Sequence, residues 1–216
     1  MSFHRPRKRF GQHFLTDEQV IAQIIRALHV QRQDKLIEIG AGLGALTTGV
    51  LAQVDHLHVV EIDRDLSAQL QKTFPSRRLT VHQQDALAFD FSSLYENQPL
   101  RIFGNLPYNI STPLLFHLLT YAPCIQDMLF MLQKEVVMRM IATPSHHEYG
   151  RLSVMIQYAC HTQALFDIAP QAFSPPPQSE LQCDRFKTLP SQSSSSLSER
   201  FPCLCAFGQR GVSTPA

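Results

Sequence analysis

The sequence predicts an α/β fold, a doubly wound Rossmann-like sheet with helices on both faces, and three observations carry that prediction. Short β-rich runs alternate with helical patterns from about residue 16 to about residue 168, as parallel strands joined by crossover helices require. The first strand candidate ends in a glycine turn, Gly40-Ala41-Gly42-Leu43-Gly44-Ala45, with a helical pattern behind it. The second ends in an acidic residue, Glu61, placed where a carboxylate can accept both hydroxyl hydrogens of a ribose.

The elements follow in order. Thr16 is the expected N-cap of a first helix, with Gln19 completing a capping box. Val20, Ile21, Ile24, Ile25 and Leu28 recur at helical spacing, so this helix runs to about His29. Leu36-Ile37-Glu38-Ile39 is the first strand, and Leu46, Val50 and Leu51 mark the helix after the glycine turn. His58-Val59-Val60-Glu61-Ile62-Asp63 is the second strand, residues 65–74 a helix, and Leu79-Thr80-Val81-His82 the third strand, leading into Gln83-Gln84-Asp85-Ala86. A fourth strand at 100–103 runs into Gly104-Asn105-Leu106-Pro107-Tyr108-Asn109, and Ile110-Ser111-Thr112-Pro113 reads as a helix start. Asp127-Met128-Leu129-Phe130-Met131-Leu132 suits a buried strand. Helices at 135–141 and 152–159 and a strand at 163–168 follow. Past Ser174 the character changes: Pro175-Pro176-Pro177, a poor match to a strand at 181–186, then a serine-rich low-complexity stretch.

Composition narrows the function classes. The 216 residues suffice for one sizeable α/β domain, and 44% hydrophobic with 17% charged residues is an ordinary globular balance. A net charge of +1 gives no global argument for nucleic acid, although Arg5, Arg7, Lys8 and Arg9 form a local basic cluster. The five cysteines include no Cys-x-x-Cys pair, and neither His56-x-His58 nor His146-His147 has the further ligands of a metal site, so no metal is expected. No apolar run approaches 18 residues and no signal peptide is visible; the expectation is a cytoplasmic protein without membrane attachment.

The glycine turn with Glu61 fits NAD, FAD or S-adenosylmethionine. The run Asn105-Leu106-Pro107-Tyr108 separates them. An exocyclic adenine amine is a poor nucleophile because its lone pair is delocalised into the ring. Two acceptors aimed at its hydrogens localise that pair: the Asn105 side-chain oxygen and the Leu106 carbonyl, whose direction Pro107 restricts. Tyr108 offers an aromatic face on which an extruded base can stack. Such a site works by positioning and electrostatics, and a hydride-transfer enzyme has no use for it.

Together these residues resemble the ribosomal RNA adenine N6-dimethyltransferases. The resemblance rests on Phe10-Gly11-Gln12-His13-Phe14-Leu15, Glu38-Ile39-Gly40-Ala41-Gly42-Leu43-Gly44, Glu61-Ile62-Asp63, Gln84-Asp85-Ala86 and Gly104 through Pro113. Glu148-Tyr149-Gly150-Arg151-Leu152-Ser153-Val154 and Phe173-Ser174-Pro175-Pro176-Pro177 extend it. It implies an S-adenosylmethionine methyltransferase sheet at 16–188, preceded by a basic arm at 1–15 that contributes to the cofactor site. His13 (where many relatives carry Asn) and Leu15 would cover the cofactor, Gly40 lies under its methionine end with Gly42 also in the cofactor site, Glu61 binds the ribose, Asp85 the cofactor adenine amine, and Asn105 sits beside the methyl as a further cofactor-binding residue. Asn105, Leu106, Pro107 and Tyr108 form the catalytic motif, Phe173 a second aromatic wall for the target base, and Arg5, Arg7, Lys8 and Arg9 an rRNA phosphate contact. The implied reaction is dimethylation of two adjacent adenosines near the 3′ end of small-subunit rRNA, by a monomer acting on a pre-assembled 30S particle.

The resemblance fails toward the end of the chain. Relatives continue with Lys-Val-Asp/Glu-Ser-Ala-Val, the last strand of the sheet, and then a small helical domain; here Gln178-Ser179-Glu180-Leu181-Gln182-Cys183 departs from that strand. Ala206-Phe207-Gly208-Gln209-Arg210 matches the opening of the helical domain, so 189–216 is expected to be a degenerate remnant of a truncated or missing helical lobe. Two alternatives stand beside the leading reading: a large-subunit rRNA adenine methyltransferase conferring macrolide resistance, and a non-catalytic ribosome-assembly factor.

Overall fold

The computed structural model of the chain describes residues 12–189. Arg5, Arg7, Lys8 and Arg9 of the basic arm, and the remnant assigned to 189–216 apart from Leu189, lie outside the described residues. Within them runs one seven-stranded sheet, ordered β4-β3-β2-β5-β6-β9-β7. The strands are β2 (Lys35–Ile39), β3 (Leu57–Val60), β4 (Leu79–His82), β5 (Leu100–Asn105), β6 (Ile125–Gln133), β7 (Cys160–Ile168) and β9 (Leu181–Thr188). All pairs from β4 to β6 are parallel; β9 alone runs the other way, between β6 and β7. A separate two-stranded ribbon pairs β1 (Phe14–Leu15) with β8 (Phe173–Ser174).

The helices cover both faces, so the sheet has an apolar layer on each side. Ile37, Ile102 and Phe130 pack under α4 (Tyr108–Leu119), α5 (Lys134–Ile141) and α6 (Arg151–Ala159) through Leu114, Leu118, Val137 and Ile156. Val59, Phe103 and Leu129 pack under α1 (Glu18–Leu28), α2 (Ala45–Leu51) and α3 (Arg64–Thr73) through Ile24, Val50 and Leu70. The chain leaves β2 outward through β3 and β4, then crosses back to β5 on the other side. That reversal sends the connections after β2 and β5 to opposite faces of the sheet and opens a crevice at the strands' carboxyl ends, the place where ligands bind in open α/β sheets.

Three expectations are corrected. The cap of α1 is Asp17, whose carboxylate accepts from the Gln19 and Val20 N–H groups; the Thr16 hydroxyl instead donates to the Ala172 carbonyl at 3.2 Å. Helix α4 starts at Tyr108, directly after Pro107, so Pro113 sits inside it. The missing Pro N–H deprives the Asn109 carbonyl of its helical partner, which is tolerable because Asn109 is exposed to water. Residues 181–188, poor in strand pattern, form a full strand paired on both sides, because Leu181, Cys183 and Phe186 are driven into the core. The same strand buries Asp184 completely, and neither of its carboxylate oxygens has a hydrogen-bond partner among the described residues.

One buried ion network joins distant pieces. Arg101 on β5 holds both carboxylate oxygens of Asp127 on β6 at 2.7 and 2.8 Å, the Asp34 carboxylate at 2.5 Å and the Leu28 carbonyl at 2.7 Å. The guanidinium therefore satisfies the open carbonyl end of α1 and fixes that helix against the sheet.

Candidate active site

The carboxyl ends of β2, β3, β4 and β5 open on a cleft of about 210 Å³. Gly40, Gly42, Glu61, Asp85, Asn105, Leu106, Pro107 and Tyr108 all line it, roofed by Gln12, His13 and Phe14. Leu15 lines a smaller adjoining recess with Glu38, Gly42 and Asn105.

Each wall has a local cause. Gly42 has φ +58°, a left-handed conformation that side chains disfavour, and a Cβ there would come within 3.1 Å of the Phe14 ring. With that turn made, the Gly42 N–H reaches the Glu61 carboxylate at 3.1 Å. Gly104 lets β5 lie against β2, since a Cβ there would stand 2.3 Å from the Ile39 carbonyl oxygen. That close approach sets Asn105, the last residue of β5, beside the glycine turn.

Glu61 is nearly fully buried and accepts the Gly42 N–H on one oxygen and the Asp63 N–H on the other, at 3.0 Å. Burial pushes its carboxyl up from the ordinary range, while these two bonds oppose the shift. A carboxylate has about four acceptor positions, so two remain for a pair of ligand hydroxyls. Asp85 accepts the Leu87 N–H through Oδ1 at 2.9 Å, leaving Oδ2 for an amine donor. Behind the turn, Glu38 accepts from the Thr47 hydroxyl at 2.6 Å, and burial pushes it up to about 8. Sequence reasoning treated Glu38 only as part of a motif, since nothing local shows that a strand carboxylate will be dry.

Asn105 Nδ2 donates to the His13 backbone carbonyl at 2.8 Å. A carbonyl can only accept, so this bond assigns the two ends of the amide and leaves Oδ1 as the free acceptor. Tyr108 opens α4, and burial pushes its phenol up to about 12, so it stays neutral at physiological pH. A neutral aromatic beside a fixed amide acceptor suits positioning of a base better than proton transfer.

Against this geometry, the model of the ribosomal RNA adenine dimethylase family matches residues 3–187. The chain belongs to that family. Over 213 residues it is 52% identical to the ribosomal RNA small subunit methyltransferase A of Aromatoleum aromaticum, spanning 97% of this chain and 80% of the relative. A dimethyladenosine transferase from Plasmodium falciparum superposes with a TM-score of 0.73 at 26% identity, covering 82% of this chain and 64% of that one. The 23S rRNA methyltransferase ErmE superposes at 0.69 with 22% identity, covering 92% and 80%, which is a likeness of fold.

One expected site residue of this dimethylase-family chain is placed elsewhere. Phe173 is 3% exposed, pairs with Leu15 in the β1–β8 ribbon and packs in the layer beneath α1. It is not among the residues that line the cleft. The ribbon explains why: strand pairing turns alternate side chains inward, and Phe173 is the inward one while Ser174 is exposed. Conversely Gln12, Ile62, Gln84, Asn109 and Ile110 line the cleft without having been singled out. Their sequence signal is membership of the quoted motifs, which assigns none of them a role.

Proposed function

We propose that this chain transfers methyl groups from S-adenosylmethionine to N6 of two adjacent adenosines near the 3′ end of small-subunit rRNA, giving N6,N6-dimethyladenosine during ribosome biogenesis in the cytoplasm. The observation that carries the reading is Asn105, its amide nitrogen tied to the His13 carbonyl and its oxygen left free in the cleft that Glu61 and Asp85 share. The cleft fits the cofactor: Glu61 has acceptor positions for the ribose hydroxyls, Asp85 Oδ2 for the adenine amine, and the glycine turn admits the methionine end without a side chain. When bound, S-adenosylmethionine supplies an electrophilic methyl on a sulfonium.

The protein's own residues do the rest by positioning. Asn105 Oδ1 and the Leu106 carbonyl accept the two hydrogens of the target amine, turning its lone pair toward the methyl. Tyr108 stacks the extruded base. No strong base is needed, because the amine loses a proton only after the carbon–nitrogen bond has formed. Arg5, Arg7, Lys8 and Arg9 hold rRNA phosphates, so binding weakens as salt rises. The enzyme acts as a monomer on a pre-assembled small subunit. No observation favours the large-subunit substrate or a non-catalytic role.

The direct test is labelled methyl incorporation into under-methylated small subunits, free rRNA and large subunits, followed by nucleoside mapping. Two adjacent dimethyladenosines in the small subunit are expected; incorporation only into large subunits, or none, overturns the reading. A second measurement addresses the cofactor site. Glu61→Gln removes a charged acceptor from the ribose, so the cofactor Kd is expected to rise about 10- to 100-fold. Calorimetric titration reads this directly, and an unchanged Kd would remove Glu61 from the site.

A further inference from the structure

The base platform is already occupied. The His13 imidazole lies over the Tyr108 ring with centroids 5.3 Å apart and planes inclined by 25°. At that distance the two rings stack on each other and leave no layer between them for a base. Tyr108 packs against the apolar layer that includes Leu15 and Phe173, and its hydroxyl is buried without a hydrogen-bond partner among the described residues. The stacked pair stands at the cleft, which both residues line.

His13 is held in place by two separate bonds. Its backbone carbonyl receives the Asn105 amide, as described above. Its ring nitrogen Nδ1 lies 2.7 Å from the Pro175 carbonyl, which can only accept, so Nδ1 carries the hydrogen and donates. The ring is therefore anchored to the segment that follows β8, while the backbone orients the catalytic amide. The two roles are mechanically independent: the ring can swing about its side-chain bonds while the carbonyl stays where it is.

We infer that the His13 imidazole is a gate on the target-base site, standing on Tyr108 in place of adenine until a base anchored by the rest of the RNA displaces it. The inference rests on the reading of Tyr108 as the base platform. An entering adenine must first separate the His13–Tyr108 stack and break the Nδ1–Pro175 bond. Contacts of this kind each shift an equilibrium by about 2- to 10-fold. A free nucleoside must open the gate with its own stacking alone, and so occupies the site poorly. An adenosine delivered by RNA draws on phosphate contacts elsewhere. The gate thus discriminates against free adenine nucleosides, which share the methyl-accepting amine but bring no phosphate contacts.

The test uses the full chain with the cofactor site saturated by S-adenosylhomocysteine, and free adenosine as the probe. His13→Ala removes ring and anchor; His13→Asn keeps a donor for the Pro175 carbonyl but removes the ring. Both variants are expected to bind adenosine about 3- to 10-fold more tightly than the wild type. Because His13 also roofs the cofactor cleft, the S-adenosylhomocysteine Kd of each variant is measured first and the cofactor is raised to saturation in each. Unchanged or weakened adenosine binding in both variants overturns the gate, and weakening would make His13 a fixed layer of the platform. A measurement on the wild type guards against a variant that folds poorly. The His13 ring proton resonances, shielded by Tyr108, should move downfield when adenosine binds; adenosine binding without that movement also overturns the gate. Failure of the functional reading looks different, because the wild type would then methylate no small subunit at all.

Discussion

Replacing Asn105 with alanine is expected to cut methyl transfer by about 10²- to 10³-fold while leaving cofactor affinity within about threefold. The magnitude is that of removing one preorganised polar group from a site that works by electrostatic positioning. The separation follows from geometry. Glu61 and Asp85, the two carboxylates proposed to meet the cofactor's ribose and adenine, are held by the Gly42, Asp63 and Leu87 N–H groups, none of which involves the Asn105 side chain. What Asn105 alone supplies is a free amide oxygen whose orientation the His13 carbonyl enforces. Asn105→Asp probes the same point more finely: it keeps the acceptor oxygens but loses the Nδ2 donor, and sets a carboxylate against the His13 carbonyl. Single-turnover rates and cofactor titrations on both variants test the assignment. Transfer retained in Asn105→Ala would sink the mechanism.

The second large effect concerns stability. Asp184 lies in β9 opposite Phe130 of β6 and Ala164 of β7, fully buried, and burial pushes its carboxyl up to about 7. An unfolded Asp titrates near 4, so between about pH 4 and pH 7 the folded chain binds more protons at this group than the unfolded chain does. Its penalty is therefore absent below about pH 4, grows as pH rises through that window and is complete above about pH 7. Over the whole window it amounts to on the order of 4 kcal/mol. Glu38, pushed up to about 8, acts in the same direction. The chain should accordingly be more stable at pH 5.5 than at pH 8. Asp184→Val, apolar and of similar volume, should add about 2–4 kcal/mol at pH 8 and raise Tm by roughly 5–10 °C, with a smaller gain at pH 4.5, where only the unpartnered neutral carboxyl is removed. Denaturant unfolding of both proteins at the three pH values tests this; an equal gain at every pH would mean that the carboxylate is not the cause.

Asp184 also shows how far a strand can depart from pattern and still form. Residues 178–183 do not resemble the closing strand of the family, and 181–186 has weak strand character by itself. Yet a gap between β6 and β7 has unpaired backbone groups on both sides, and Leu181, Cys183 and Phe186 have apolar layers to enter. Backbone pairing and three apolar side chains outweigh one buried carboxylate. Sequence periodicity weighed only the residues of the strand, not the slot waiting for it.

The α4 boundary and the α1 cap differ from the sequence expectation for a narrower reason. Ser111-Thr112-Pro113 looks like a helix start because Pro favours the first turn, but Pro107 already occupies the position before Tyr108. Thr16 and Asp17 are both good caps, and the ribbon decided between them by drawing the Thr16 hydroxyl and N–H to the Ala172 carbonyl. In each case two residues could do one job, and local rules do not rank them.

The doubly wound sheet, the glycine turn, and the arrival of Glu61, Asp85 and Asn105 at neighbouring strand ends are legible in the residues alone. Those follow from alternation of period two and period 3.6 and from the rule that parallel strands share one carboxyl edge. Packing between distant segments set Phe173 in the apolar layer beneath α1, left Asp184 dry and brought Arg101 to the end of α1. It also decided that His13 meets Asn105, Tyr108 and Pro175 at once. The physical reason is separation along the chain. Local periodicity tells a residue which way to face, but the partner it finds there is set by how distant segments pack, and no short-range pattern encodes that.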